Sequence, residues 1–213
     1  MTSSERIAQA INQEIKAWTQ AHPKLVVAIE GYSGSGKTTV ADYIAKQNHD
    51  VLVVHLDDFV HHWKVRKRMI EQAKDKSQAF EYSWYRYGDV EKLVKAFIAK
   101  RRRVIKLKTY NYDMNEFDPS KIFNLSKKVL VIEGSFLFHP ELKISKLWDK
   151  TIYLRVNFVR ADERRVIRER KKWGKAYRSE DHPDNWTKHY KKAYRRYVKK
   201  FKPQNNNDIV FKV

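Results

Sequence analysis

A three-layer α/β fold, one parallel sheet with helices on both faces and a helical lid, is predicted by two features of this 213-residue chain. Short apolar runs of strand length alternate with helical patterns along the whole sequence, the order in which βα units build a parallel sheet. The first run, Leu25-Val26-Val27-Ala28-Ile29, leads into Gly31-Tyr32-Ser33-Gly34-Ser35-Gly36-Lys37-Thr38, which fits the pattern G-x-x-x-x-G-K-[ST] without a gap. A strand, a glycine-rich loop and a helix in that order predict the P-loop NTPase form of the fold.

The chemistry of phosphate binding asks for these residue types in this order. Consecutive backbone N–H groups curl around phosphate oxygens, so glycines stand where a Cβ would block the chain or forbid the dihedrals. Thr38 to Lys46 reads as a helix, whose N-terminal N–H groups and dipole favour an anion. Gly31, Ser33, Gly34, Ser35, Gly36, Lys37, Thr38 and Thr39 are therefore the candidate nucleotide-binding residues, with Lys37 reaching the outer phosphates and the Thr38 hydroxyl on Mg²⁺. ATP with Mg²⁺ is the expected cofactor pair.

The length suits a single domain, residues 1–213, and is short for two independent cores. A hydrophobic share of 42% argues against disorder, and the absence of cysteine removes disulfides and thiolate metal sites. No apolar run approaches the length of a bilayer span and the N-terminus lacks a signal-type core, so a cytoplasmic protein is expected. The formal charge is +20, and residues 160–202 hold 17 basic against 6 acidic side chains. Such a surface suits a nucleic-acid backbone, or it supplies positive walls to a site for a polyanionic nucleotide; the second reading is preferred. A homo-oligomer is compatible with the composition.

Taken in order, Ile7, Ile11, Ile15 and Trp18 recur at helical spacing behind the N-cap candidates Ser3 and Ser4, predicting a helix over 4–20 that Pro23 ends. After the loop and its helix, Val51 to Leu56 is a second buried strand. Asp57 and Asp58 stand at its carboxyl end, where open parallel sheets bind ligands. Residues 69–79 read as an exposed helix, and Phe80 to Tyr87 is a dense aromatic cluster suited to a pocket wall or to core. Asp89 is expected to cap a helix through Lys100 with Leu93, Val94, Phe97 and Ile98 inward. Val104 to Leu107 is the next strand, and residues 111–127 are polar and irregular apart from a short strand at Ile122 to Leu125.

Val129-Leu130-Val131-Ile132 then runs into Glu133-Gly134, the shape of a strand whose terminal carboxylate holds Mg²⁺. A short helical stretch covers Leu142 to Trp148 and another strand Thr151 to Val156. Arg160 to Lys172 is a basic helix with few apolar positions, which reads as a mobile cover over 160–180. Trp186 to Phe201 is a long helix with Tyr190, Ala193, Tyr194, Tyr197 and Val198 on its buried side, and Asp208 to Phe211 a last strand.

With these residues in place, the chain resembles the uridine kinase and phosphoribulokinase family of P-loop kinases from Leu25 to its last strand. The carrying segments are Gly31 to Thr39, His55-Leu56-Asp57-Asp58-Phe59, Tyr112-Asp113, Ile132-Glu133-Gly134, Arg164-Arg165-Val166-Ile167-Arg168-Glu169 and Asp208-Ile209-Val210. The resemblance implies transfer of the γ-phosphate to a hydroxyl of a small, nucleoside-like acceptor. Asp57 would be the catalytic base, Lys37, Arg165 and Arg168 would serve the transferring group, and Thr38, Asp57 and Glu133 would hold the metal. Asp57, Glu81, Tyr112 and Arg165 would contact the acceptor, in an acceptor-binding insertion over about 60–125. The chain departs from the pattern at Met114-Asn115-Glu116-Phe117, where uridine kinases carry a histidine, and at Arg170 to Gly174 of the lid. A preserved kinase core with an altered acceptor pocket is the expectation.

Overall fold

The computed structural model describes residues 1–118 and 121–213. Helix α1 (Ser3–Trp18) lies ahead of β1 (Leu25–Gly31), and the phosphate loop joins β1 to α2 (Lys37–Gln47). Then come β2 (Val51–His55), a 3-10 turn at Leu56–Phe59, α3 (Trp63–Gln72), the single turn α4 (Lys76–Gln78), a π turn at Ala79–Ser83 and α5 (Tyr87–Ala99). Strands β3 (Val104–Asn111) and β4 (Glu116–Asn124) precede β5 (Val129–Gly134) and β6 (Lys150–Arg155). Helices α6 (Phe158–Trp173) and α7 (Thr187–Phe201) lead to the last strand, β7 (Ile209–Lys212).

Five strands form one all-parallel sheet in the order β2-β5-β1-β6-β7. Alternate residues of β1 face opposite layers, as the period of two requires. Leu25, Val27 and Ile29 pack on Ile7, Ile11 and Ile15 of α1 and Val40 and Ile44 of α2. Val26 and Ala28 belong to the core of the other face, with Leu93 and Phe97 of α5 and Tyr194 and Tyr197 of α7. Each fully buried aliphatic side chain of this kind stabilises the fold by about 1.5–3 kcal/mol, which is why the continuous apolar runs become central strands.

Several local expectations change. The N-cap of α1 is Thr2, which forms a reciprocal capping box with Glu5, in place of Ser3 or Ser4. The exposed helix expected over 69–79 breaks at Ala73, and its end dips inward, with Ile70, Ser77 and Ala79 buried. Asp89 lies inside the first turn of α5 and pairs with Arg86, and Ile98 is 48% exposed, off the inner face.

The largest difference concerns Val104 to Asn124. β3 does not join the main sheet; it pairs antiparallel with β4 in a separate two-stranded ribbon. The reason is in the side chains. β1 and β5 are apolar at successive positions and are buried throughout, whereas in β3 Ile105 and Leu107 alternate with exposed Lys106 and Lys108. That alternation belongs to a ribbon with one wet face. The polar stretch expected to be irregular supplies its partner.

Candidate active site

Because the strands run parallel, the carboxyl ends of β2, β5 and β1 deliver Asp57, Glu133 and the phosphate loop to one edge of the sheet. A cleft of about 560 Å³ opens there. Ser33, Gly34, Gly36, Lys37, Thr38 and Thr39 line its loop side. Asp57, Tyr112, Glu133, Arg165 and Arg168 face the same space.

The loop has the conformation an anion cradle needs. Gly34 and Gly36 hold φ of 85° and 88°, and a Cβ on Gly34 would lie 2.3 Å from the Ala161 carbonyl oxygen of α6. Helix α2 starts at Lys37 with no side-chain cap and no acid in its first turn, leaving its leading N–H groups for a ligand. From behind, Tyr190 of α7 braces the loop: its hydroxyl accepts from the Ser33 N–H at 2.9 Å and lies 3.1 Å from Ser135 Oγ. Lys37 Nζ donates to the Tyr32 carbonyl at 3.1 Å, and burial lowers its pKa, with Glu133 and Asp57 acting in the opposite sense.

The acids divide by environment. Glu133 is cross-strand neighbour to both Ile29 and His55, and its Oε1 accepts from Thr38 Oγ1 at 3.0 Å and lies 2.9 Å from His55 Nδ1. Burial pushes its pKa up, but the His55 hydrogen bond and the Lys37 charge outweigh this and leave it below the ordinary value. The His55 pKa is raised, first by that same hydrogen bond. An ionised carboxylate sharing its oxygen with the Thr38 hydroxyl fits Mg²⁺, which takes one or two protein oxygens and keeps the rest for water and phosphate. Asp57 is the opposite case. Burial, and then the Glu133 charge, raise its pKa, with Lys37 and a hydrogen bond from the Tyr85 hydroxyl at 3.1 Å opposing them. Asp58 points elsewhere, paired with Lys121 of β4 at 2.6 Å.

Three expected site residues do not reach the cleft. Gly31 ends β1 against Leu154 of β6, and Ser35 is buried with its hydroxyl unpartnered. Glu81 sits in the π turn 1% exposed, its carboxylate taken by His139 Nε2 at 3.1 Å and Arg196 Nε at 2.9 Å. Arg165 lines the cleft but is only 3% exposed, bound by Glu169 at 3.0 Å and by Glu180. The spacing on α6 did not reveal this clamp, because Glu180 lies beyond the helix.

The cluster over Phe80 to Tyr87, read as pocket wall or core, supplies much of the remaining wall, and Trp186 and Arg66, which sequence reasoning passed over, complete it. Phe80, Trp84, Tyr85 and Trp186 make an aromatic side, with the Phe80 and Trp84 rings stacked at 4.0 Å. Arg66 of α3 stands beside them. Only the density of aromatics around position 84 signalled this surface. Under the loop, Glu30 is fully buried and accepts from the Phe138 N–H at 2.6 Å, the Tyr197 hydroxyl at 3.0 Å and the Tyr194 hydroxyl at 3.4 Å. Burial raises its pKa to about 7 against those hydrogen bonds.

With the geometry in view, known proteins can be set beside it. The sequence model of the phosphoribulokinase / uridine kinase family matches residues 26–213. Uridine kinase-like protein 4 of Arabidopsis thaliana is 30% identical over 134 residues, which take in 61% of this chain and 26% of that protein. The chain thus spans about a quarter of the length of this curated relative. The solved structure of a possible uridine kinase from Bacillus stearothermophilus superposes with a TM-score of 0.69 at 20% identity, covering 97% of each chain. D-glycerate 3-kinase from Cryptococcus neoformans superposes with a TM-score of 0.67 at 14% identity, covering 97% of this chain and 94% of that one. At such identities the likeness is one of fold.

Proposed function

The chain belongs to the phosphoribulokinase/uridine kinase family, and from that premise we propose that it transfers the γ-phosphate of ATP to a hydroxyl of a small, flat-ringed, nucleoside-like acceptor. One observation carries the reading: Asp57, a carboxylate with a raised pKa at the end of β2, shares a single cleft with Lys37, Thr38 and Glu133. When bound, Mg-ATP supplies the phosphoryl group and the metal charge that stabilises its transfer. Lys37 and the first N–H groups of α2 would hold the outer phosphates, and Thr38, Glu133 and Asp57, which line the same cleft, would hold Mg²⁺. Asp57 takes the proton of the attacking hydroxyl, which its raised pKa suits it to accept. Arg168, with Arg165 once freed from its carboxylates, neutralises the transferring group and excludes water, so that hydrolysis does not compete. The segment over 160–180 is the lid in this reading, and 60–125 is the acceptor-binding insertion, where Tyr112 and the aromatic side orient a ring.

The basic C-terminal quarter gives the nucleic-acid alternative little support. Lys191 is paired with Asp162 and Glu180, Lys192 and Arg196 with Asp75, and Lys200 with Glu141, so part of its charge is matched by carboxylates of the same molecule. Among the described residues no helix is long and apolar enough to cross a membrane. The test is a Mg-ATP turnover screen against nucleosides, ribosylated vitamins, pantothenate and pentose phosphates, with a homopolymer RNA included. Phosphate transfer to a small acceptor that RNA does not change is expected; ATP hydrolysis that rises with RNA while no small hydroxyl is phosphorylated would refute the reading.

A further inference from the structure

One cation in the acceptor half of the cleft has no role in the transfer just described. Arg66 lines the cavity yet is only 8% exposed. Its guanidinium lies among three rings, 4.9 Å from Tyr110, 5.2 Å from Trp84 and 5.5 Å from Tyr112. Ring faces attract a cation when water is excluded, but by less than withdrawing the ion from water costs. The rings therefore leave a deficit.

Among the described residues nothing else closes it. Arg66 Nε is buried without a hydrogen-bond partner, and no ion pair given among the described residues involves Arg66. Of the carboxylates that line the same cleft, Asp57 accepts from Tyr85, Glu133 from Thr38, and Glu169 from Arg165. A guanidinium carries five N–H donors in one plane, none of which a ring face satisfies as a hydrogen-bond acceptor would, and the Nε–H of Arg66 is left without one. A carboxylate or phosphate matches such donors with two parallel hydrogen bonds. The position also separates this cation from the nucleotide side. Tyr110 and Tyr112 come from the end of the β3 ribbon and its turn, while the loop, Lys37 and Arg168 serve the phosphates of ATP.

Resting on the kinase reading for the transfer, and departing from it in the acceptor, which need not be a nucleoside, we infer that the acceptor carries an anionic group, a carboxylate or a phosphate, and that Arg66 binds it and so decides which hydroxyl compounds are phosphorylated.

The test compares ribose 5-phosphate and D-glycerate, one for each anion, with the neutral compounds ribose and uridine, in the wild type, Arg66→Gln and Arg66→Lys. Transfer is followed with Mg-ATP, binding by calorimetry with the non-hydrolysable analogue AMP-PNP present, and folding by thermal melting. At least one anionic compound is expected to exceed both neutral ones tenfold in kcat/KM. Arg66→Gln should lower that value about 100-fold, mainly through KM, and leave neutral acceptors and AMP-PNP affinity unchanged. Arg66→Lys, which keeps the charge and loses the fork, should recover part of it, and it carries the comparison if Arg66→Gln does not fold. Uridine or ribose turned over best, and equally by wild type and variants, overturns the inference while the kinase reading stands. If none of the four is phosphorylated although AMP-PNP binds, the kinase reading fails for these acceptors, and the titrations decide on Arg66. Binding of ribose 5-phosphate, D-glycerate or inorganic phosphate that the variants lose upholds the inference; binding that is unchanged, or absent, overturns it.

Discussion

Replacing Glu30 by glutamine should change how the stability of this protein depends on pH. The side chain is fully buried beneath the phosphate loop, and burial lifts its pKa from 4.5 to about 7. Those 2.5 units correspond to about 3 kcal/mol between the folded and unfolded states. Because the folded-state value is the higher one, the native protein holds the proton more tightly. The contribution is fully present below pH 4.5 and is lost as the pH rises through about 7. Glutamine keeps an oxygen to accept from Phe138 and Tyr197, turns its amide NH2 toward the Tyr194 hydroxyl, which can accept, and has nothing to titrate. Urea unfolding of wild type and Glu30→Gln at a series of pH values between 4 and 8.5 measures the effect. The stability of the variant relative to wild type should rise by about 2–3 kcal/mol across that range, with the change centred between the two pKa values. Curves that stay parallel within about 0.5 kcal/mol, the scatter expected for an inert substitution, would refute the argument that folding makes Glu30 hold its proton well above the ordinary carboxylate range.

Other outcomes follow from the same geometry. Asp57→Asn should lower kcat by about 10²–10⁴-fold while AMP-PNP still binds, since a general base acts on the transition state; turnover and nucleotide titration read the two separately. The raised pKa of Asp57 places the acid limb of kcat/KM above the ordinary aspartate range, and Tyr85→Phe should move it higher still, because the lost hydrogen bond favours the ionised form. His55→Ala removes the group that orients Glu133 and keeps it ionised, so the Mg²⁺ concentration for half-maximal rate should rise about 10–100-fold. Gly34→Ala sets a Cβ 2.3 Å from the Ala161 carbonyl at φ 85°, and should weaken AMP-PNP binding at least tenfold in a protein that still melts cooperatively.

What could be read from the sequence was whatever depends on neighbours along the chain. The phosphate loop between strand and helix, the apolar runs of β1 and β5, and the acids at positions 57 and 133 are local patterns, and the sheet brings them together. The ribbon was misread because Val104 to Leu107 was counted by its apolar content and not by its alternation with lysines. Tyr85, His55 and Arg66 matter through contacts made by distant segments, which no spacing rule reports. Glu81 shows the converse. A residue whose place in the chain suggests the acceptor is taken by Arg196, 115 positions away.

The ribbon's independence of the main sheet has a consequence for how such an enzyme can change. In the proposed function the strand ends and the glycine loop handle the nucleotide, while α3, the π turn and the turn after β3 supply Arg66, Phe80 and Tyr112 to the acceptor side, and β3 and β4 add no strand to the main sheet. Helix α5, which lies between them in the chain, is tied to that framework through Leu93 and Phe97. A transplant of α3 with the π turn, or of the ribbon, from a relative should therefore bring a new taste in acceptors and leave the handling of ATP where it was, whereas moving α5 with them would disturb the main core.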